Sequence, residues 1–309
     1  NRYEISEALQ MPLPLTKEEA MQETLTQEES AARRFPILPS NANVTVIPII
    51  PGITLFGYIR FLNASPVETR VDIYANGRMV AADLRYQHFT EYMKLDPYFR
   101  KDNHHMMTFA MSYAYSEDYI LVLSHDEVVH LKCSMINKMP GLGFDKYANL
   151  KAGYAFMMGH AGKKLLFMGQ DFAQLREWSE ERELDWYLLE EPEHQAIQSW
   201  MRDLLHMYKK KQALYELDQS WAGFEWVNAD DAYRSIYSFI RHSKDGKHNL
   251  LFVINFTPMA REDYRVGVPR KKQYKLILNS DDVKYGGNGG KRQHIYHALK
   301  KECDGRPYS

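Results

Sequence analysis

An uninterrupted apolar run followed at once by charged residues most constrains the fold of this chain. Residues 119–123 read YILVL, and SHDEVVHL follows from residue 124. Such a run predicts a strand that is buried on both faces, as in parallel α/β sheets. Because these sheets carry their chemistry at the carboxyl ends of their strands, we interpret His125 and Asp126 as a functional edge. A helix cap or a salt-bridge cluster is the common alternative for an isolated His-Asp-Glu triplet.

Residues 93–215 alternate predicted helices and strands. Helices are predicted over residues 102–116 and 144–160, and a second apolar strand over residues 165–169. A later helix has one continuous apolar face, formed by Ile197, Trp200, Met201, Leu204, Leu205 and Tyr208. This order of elements predicts a parallel α/β sheet or barrel.

Polar residues also follow the second predicted strand. Gln170 and Asp171 come directly after residues 165–169, as His125 and Asp126 follow the first strand. Neighbouring strands of a parallel barrel bring their following loops together at one end. We therefore expect Gln170 and Asp171 to lie near His125 and Asp126.

Two β-rich regions flank this α/β region. Residues 35–92 form a partial β-rich module, in which Asn76-Gly77 predicts a tight hairpin turn. Residues 216–284 contain five turn-separated apolar runs, which predict a compact antiparallel sandwich over residues 223–280. The two ends are a polar leader, residues 1–34, predicted to be helical or disordered, and a glycine-rich tail, residues 285–309, predicted to be loose.

Charge and composition exclude several classes of partner. The formal net charge is −1 with no basic block, which argues against nucleic acid or an anionic membrane. No apolar run of about 18 residues is present, so no transmembrane helix is predicted. Cys133 and Cys303 form no disulfide framework and indicate a reducing cytoplasm. The spacing of His125 and His130 does not suit a metal pair, and we predict no metal and no cofactor.

Seven stretches between about residues 92 and 287 form one recognisable pattern. They are MKLDPYFRKDNHH, LSHDEVVH, NKMPG, KKLLFMGQDFAQLREW, ELDW, GFEWVNADD and NFTPMAREDYRVGVP. Together they resemble the carboxyl-terminal part of bacterial glycogen branching enzymes, members of the α-amylase superfamily. The resemblance implies strands seven and eight of a (β/α)8 barrel, followed by the family's all-β carboxyl domain. It also implies α-1,4-glucan, or glycogen, as the partner.

The resemblance assigns roles to the residues that follow the first strand. His125 would bind glucose hydroxyls at the cleavage subsite. Asp126 would be the third catalytic carboxylate, which orients the sugar and stabilises an oxocarbenium-like state. Family chemistry is retaining transglycosylation, in which one carboxylate attacks the anomeric carbon and a second acts as acid and then base. The family pattern has Gly at position 131 and no Cys at 133, where this chain has Leu131 and Cys133.

The sequence offers no nucleophile and no acid/base for this chemistry. Arg70-Val71-Asp72 mimics the Arg-x-Asp nucleophile motif of the family. A (β/α)8 barrel uses roughly 30 residues per unit, so strand four to strand seven should span roughly 90 residues. Only 54 residues separate Asp72 from Asp126, and no Glu between them follows a strand as the acid/base does. We therefore expect the chain to be inactive alone.

Upstream of residue 92 the chain has a different pattern. The stretch GYIRFLNASPVETRVDIYANGRMVAADLRYQHFTEY contains Asn63-Ala64-Ser65-Pro66, Val71-Asp72 and Asn76-Gly77. It resembles a β-sandwich family of unknown function from Gram-positive cell-envelope proteins. Two interpretations stay open. One is a branching enzyme by family that lacks the residues to catalyse alone. The other is a non-enzymatic fusion of an envelope-type β module with a barrel fragment that binds glucan weakly at most.

Overall fold

The computed structural model divides the chain into two compact units, Asn1–Leu84 and Arg85–Ser309. The structure describes residues 74–75, 78–79, 87–112, 114–115, 120–129, 131–290 and 293–309. The predictions for residues 1–34, and most of those for 35–92, lie outside the described residues.

The described part of the first unit is a short hairpin. Strand β1 (Tyr74–Ala75) pairs antiparallel with β2 (Arg78–Met79), and Ala75 lies opposite Arg78. Two residues therefore connect the strands, as the Asn-Gly dipeptide predicts.

The second unit begins with helices and a parallel strand pair. Its elements are α1 (Gln87–Lys94), a 3-10 helix (Pro97–Asn103), α2 (His105–Thr108), a 3-10 helix (Phe109–Ser112), β3 (Ile120–Leu123), α3 (Met135–Lys138), α4 (Phe144–Gly159), β4 (Lys163–Leu166) and α5 (Pro192–Lys210). The prediction of a single helix over residues 102–116 is wrong. Short 3-10 and α-helices occupy the described part of this segment. The Asp96 side chain caps the first of them by accepting a hydrogen bond of 2.8 Å from the Tyr98 amide.

Strands β3 and β4 are parallel, which confirms the predicted orientation. Ile120 pairs with Lys163 and Leu123 with Leu166, and α4 connects the two strands. The second strand begins two residues earlier than its apolar run. Lys163 and Lys164 can occupy it because their amines reach polar partners, the Asp218 carboxylate and the carbonyls of His160 and Gly162. Two strands of a parallel sheet are present in the described part of this unit.

The carboxyl-terminal region is antiparallel β structure, as predicted, in two small sheets. Strands β5 (Phe224–Asn228), β6 (Ile236–Arg241) and β7 (Leu250–Asn255) form one sheet, and β8 (Gln273–Lys275) and β9 (Ile295–His297) form the other. Strand β9 lies in the segment that we expected to be a loose tail. The main chain of this tail also returns to Val268, which forms an isolated antiparallel bridge with Tyr308.

The larger sheet and the α/β region share one hydrophobic core. The sequence predicts a compact β domain over residues 223–280, whereas the structure places helix α4 against its sheet. Phe156 on α4 packs edge-on against Tyr237 and Phe239, at ring distances of 5.9 and 6.0 Å. Tyr92 on α1 is fully buried against Tyr237 and Phe256. The α/β region and the sheet therefore bury the same apolar surface.

Two buried arginines cross-link the same regions. Arg241 on β6 donates to the carbonyls of Gly159 and His160 at the end of α4, and to the Asp218 carboxylate at 2.6 Å. Arg100 donates to the Phe256 carbonyl at 2.7 Å and to the Asn149 side chain of α4. Buried guanidinium groups require such partners, because an unpaired buried charge is costly.

Gly159 should not tolerate a larger side chain, because α4 approaches the sheet closely there. A Cβ atom at this position would lie 2.7 Å from Phe252 and 2.9 Å from Phe239. We expect Gly159→Ala to lower the free energy of unfolding by about 1–3 kcal/mol, measured by urea denaturation. The control is Gly153→Ala on the same helix, where the nearest atom is the flexible methyl end of Met93 at 3.0 Å. Equal effects of the two substitutions would contradict this packing.

His160 should make the protein less stable in acid. Its Nδ1 lies 3.0 Å from the Ala161 carbonyl, and its buried Nε2 has no hydrogen-bond partner in the described structure. Burial lowers the pKa of His160 to about 3 from 6.5, with Lys164 and Arg241 adding to the effect. Between these pH values the unfolded chain binds the extra proton, so stability is lost as pH falls from 6.5 towards 3.

The loss attributable to His160 should reach about 4 kcal/mol. We expect His160→Gln to flatten the dependence of unfolding free energy on pH between 6.5 and 4. His206→Gln provides the matched control, because it removes an imidazole from an exposed position. Parallel pH curves for wild type and His160→Gln would show that this imidazole carries no such linkage.

Candidate functional site

The residues that follow β3 form an exposed polar rim, which we define as residues 124–127. Ser124 caps the 3-10 helix His125–Glu127 by accepting a hydrogen bond of 3.2 Å from the Asp126 amide. The Ser124 hydroxyl also donates to the Asp126 carboxylate at 3.3 Å. His125 Nε2 lies 3.2 Å from the other carboxylate oxygen of Asp126. The serine therefore holds the acidic side chain beside the imidazole.

Both principal side chains of the rim are open to solvent. The His125 side chain is 52% exposed and that of Asp126 is 66% exposed. The carboxylate engages Ser124 and His125 and still faces water, so it can accept hydrogen bonds from a hydroxyl-rich ligand. The exposure of the pair distinguishes it from a buried structural ion pair.

An aromatic corner adjoins the rim. The His125 ring lies 5.8 Å from the Phe167 ring and 6.3 Å from the Trp178 ring, and the two aromatic rings meet edge-on at 5.1 Å. The Phe167 amide donates to the Leu123 carbonyl at 2.9 Å, which extends the β3–β4 pairing to this ring. Rings of this kind cover the apolar face of a bound molecule while the neighbouring polar groups take its hydroxyls.

Gln170 contacts the end of β3 with a side chain that is buried, unlike those of the rim. The side chain is buried, and its Nε2 donates to the Leu123 carbonyl at 3.3 Å. Its Oε1 has no hydrogen-bond partner in the described structure. It lines a narrow cleft with Val128, Ser134, Met135, Ile136, Met168, Ala173, Gln174, Arg176 and Trp178. The structure thus places Gln170 as a buried support for the end of β3, and its contact with a ligand stays a prediction.

Asp171 lies beside Gln170 in the 3-10 helix Gln170–Phe172 that follows β4. Burial raises the pKa of its carboxyl group, an effect opposed by backbone hydrogen bonds from Asp171 and Gly169. Its contact with a ligand stays a prediction.

A strained loop follows the rim. Leu131 and Cys133 both have left-handed backbone conformations, with φ of 64° and 66°. Glycine, which the resembled family pattern has at position 131, adopts this conformation without steric cost. The Glu177 carboxylate accepts hydrogen bonds from both amides, at 3.0 Å from Leu131 and 2.6 Å from Cys133. Sequence reasoning missed Glu177, since 46 and 44 residues separate it from these partners.

Two other tryptophans, Trp186 and Trp226, have different surroundings from Trp178. Trp186 is 52% exposed and lies 5.3 Å from the Phe172 ring. Trp226 packs among the rings of the larger sheet, 5.6 Å from Phe239. Among these three tryptophans, Trp178 is the one whose ring contacts His125.

The described residues contain neither a metal-binding cluster nor a membrane-spanning helix. No cluster of three or more His, Cys, Asp and Glu side chains able to hold a metal ion occurs among them. None of the described helices combines the length and the apolar character needed to cross a bilayer.

Family models match two parts of the chain. Residues 226–309 match the alpha amylase C-terminal all-beta domain, and residues 57–100 match a domain of unknown function, DUF4397. The second match extends past the boundary that we expected near residue 92. Its last part includes α1 and Arg100, which pack against the larger sheet.

Curated relatives match the carboxyl-terminal part of the chain. The 1,4-alpha-glucan branching enzyme GlgB of Butyrivibrio fibrisolvens is 59% identical over 221 residues, which are 72% of this chain and 35% of that protein. The GlgB proteins of Aquifex aeolicus and Halothermothrix orenii are 50% and 46% identical over 71% of this chain and 35% of their own length. The carboxyl-terminal part of the chain is thus similar to branching enzymes, and the chain spans about a third of their length.

Proposed function

We propose that the rim binds a glucosyl unit of α-1,4-glucan and supplies one carboxylate to glycogen branching. The observation that carries the proposal is the exposed His125–Asp126 pair at the carboxyl end of β3. The pair lies in the part of the chain that is similar to branching enzymes. In the same proposal, β3 and β4 are strands seven and eight of a (β/α)8 barrel, whose catalytic groups stand at this end.

The chemistry of the rim suits a sugar. The Asp126 carboxylate accepts hydrogen bonds from hydroxyls, and its negative charge favours a positively charged oxocarbenium-like state. His125 contributes a second polar contact from the adjacent position. Phe167 and Trp178 cover the apolar face of the ring. Gln170 supports the end of β3 through its hydrogen bond to the Leu123 carbonyl, and Asp171 adds a carboxyl group beside it.

This set of groups lacks two members that retaining transglycosylation requires. A nucleophile must form the covalent glycosyl intermediate, and an acid/base must protonate the leaving oxygen. Asp126 serves neither purpose in the family, and the spacing of Asp72 does not suit a nucleophile. We therefore propose that these 309 residues bind glucan and do not branch it unaided.

A second candidate function is a non-enzymatic fusion protein. The observation that favours it is the DUF4397 match over residues 57–100. Its overlap with α1 weighs against an independent module that ends at residue 100, because Tyr92 and Met93 are buried in the shared core. Glucan binding at the rim distinguishes the two candidates. The first candidate requires such binding, whereas a fusion with a non-functional barrel fragment does not.

Maltoheptaose should bind at the rim, measured by NMR titration. We expect Asp126→Ala to weaken binding about tenfold, because a hydrogen bond to a charged group contributes about 1.5–3 kcal/mol. The control His105→Ala removes an exposed histidine from α2 and should leave affinity unchanged. Binding that is equally strong in wild type and Asp126→Ala would place the sugar elsewhere.

Iodine staining of amylose tests the second half of the proposal. The purified chain should leave the blue colour unchanged over hours, because removing members of a catalytic unit costs many powers of ten in rate. Loss of colour that Asp126→Ala abolishes would show that the chain holds a complete catalytic set.

A further inference from the structure

In the loop after the rim, whose described residues are 128–129 and 131–134, two residues are held in an unfavourable conformation. Leu131 and Cys133 have φ of 64° and 66°, values that L-residues with a side chain rarely adopt. The Leu131 side chain is 94% exposed, so its own packing does not compensate for the strain. Strain of this kind persists only where the surroundings determine the conformation.

A carboxylate and an ammonium group clamp this loop. Glu177 Oε2 accepts from the Leu131 amide at 3.0 Å, and Glu177 Oε1 accepts from the Cys133 amide at 2.6 Å. Between them, the Lys132 carbonyl accepts from the buried amine of Lys138. Three consecutive residues are thus fixed by charged side chains. Two nearby amides that converge on one carboxylate resemble the backbone nests that bind free anions.

The residue after Glu177 contacts the rim itself. The Trp178 amide donates to the Val128 carbonyl at 3.0 Å, and its ring lies against His125. The Leu175 carbonyl accepts from the Ser134 hydroxyl at 2.9 Å, at the far end of the loop. Residues 175–178 therefore hold both ends of the loop as well as its middle.

We propose that Glu177 is a positioning residue for the glucan site. Its carboxylate holds Leu131 and Cys133 in the left-handed conformation, and this fixes the distance between the His125–Asp126 pair and the Trp178 ring. The inference rests on the proposed function and deepens it. Glu177 touches no substrate; it acts through the backbone of the loop.

The carboxylate is essential to this role because both of its oxygens accept. A glutamine has the same size but turns an NH₂ group towards one of the two amides, so one hydrogen bond is lost and two donors oppose each other. Glu177→Gln is accordingly the sharpest variant. Glu180→Gln removes the same charge from an exposed position in the same segment and serves as the matched control.

Amide hydrogen exchange tests the clamp directly. In Glu177→Gln the amides of Leu131 and Cys133 should exchange at least tenfold faster than in wild type, and in Glu180→Gln they should not change. Glu177→Asp keeps the charge on a shorter arm and should fall between the two, which provides a measurement if the glutamine variant is poorly folded. Unchanged exchange in both Glu177 variants would overturn the proposal.

Maltoheptaose affinity tests whether the clamp serves the site. Glu177→Gln should weaken binding about tenfold, and adding Leu131→Gly and Cys133→Gly should restore part of it, because glycine adopts the required φ unaided. Faster exchange with unchanged affinity would overturn the positioning role. If wild type does not bind maltoheptaose, the proposed function fails with the role that rests on it, while the exchange data still decide whether Glu177 holds the loop.

Discussion

The buried guanidinium of Arg241 is the interaction on which the rest of the second unit depends. It donates to the Gly159 and His160 carbonyls at the end of α4, to the Gly223 carbonyl before β5, and to the Asp218 carboxylate. Asp218 in turn accepts from Lys163 at the start of β4. Removing one partner of a buried pair of this kind typically costs about 3–5 kcal/mol.

The hydrogen bonds of Arg241 and Asp218 help to position the site. The end of α4 sets where β4 begins, and β4 pairs in parallel with β3, which leads to His125 and Asp126. The β6 strand that carries Arg241 lies in the antiparallel region, in sequence far from the rim. The β region is therefore part of the support for the site and not an attachment to it. Arg100 adds a second link of the same kind, from α1 and α4 to the end of β7.

The local sequence pattern predicts the elements that depend on neighbouring residues alone. The apolar run before Ser124 predicted β3 and its exposed polar end, and the Asn76-Gly77 dipeptide predicted the hairpin. Strand β4 begins two residues before its apolar run, because Lys163 and Lys164 find polar partners that only the folded chain provides. Strand β9 has three exposed residues, and its pairing with β8 depends on contact between distant segments. The hydrogen bonds of Glu177 likewise join segments that are distant in the sequence, so the local pattern does not reveal them.

Cooperative unfolding of the second unit tests the account most directly. The tryptophans can be labelled with 5-fluorotryptophan and followed by fluorine NMR through a urea titration. Trp178 reports on the site, Trp200 on α5 and Trp226 on the larger sheet. Because one core and two buried arginines join these regions, we predict that the three native signals disappear at the same urea concentration. A Trp226 signal that persists after the Trp178 signal has gone would show that the β region folds independently, which would contradict the account.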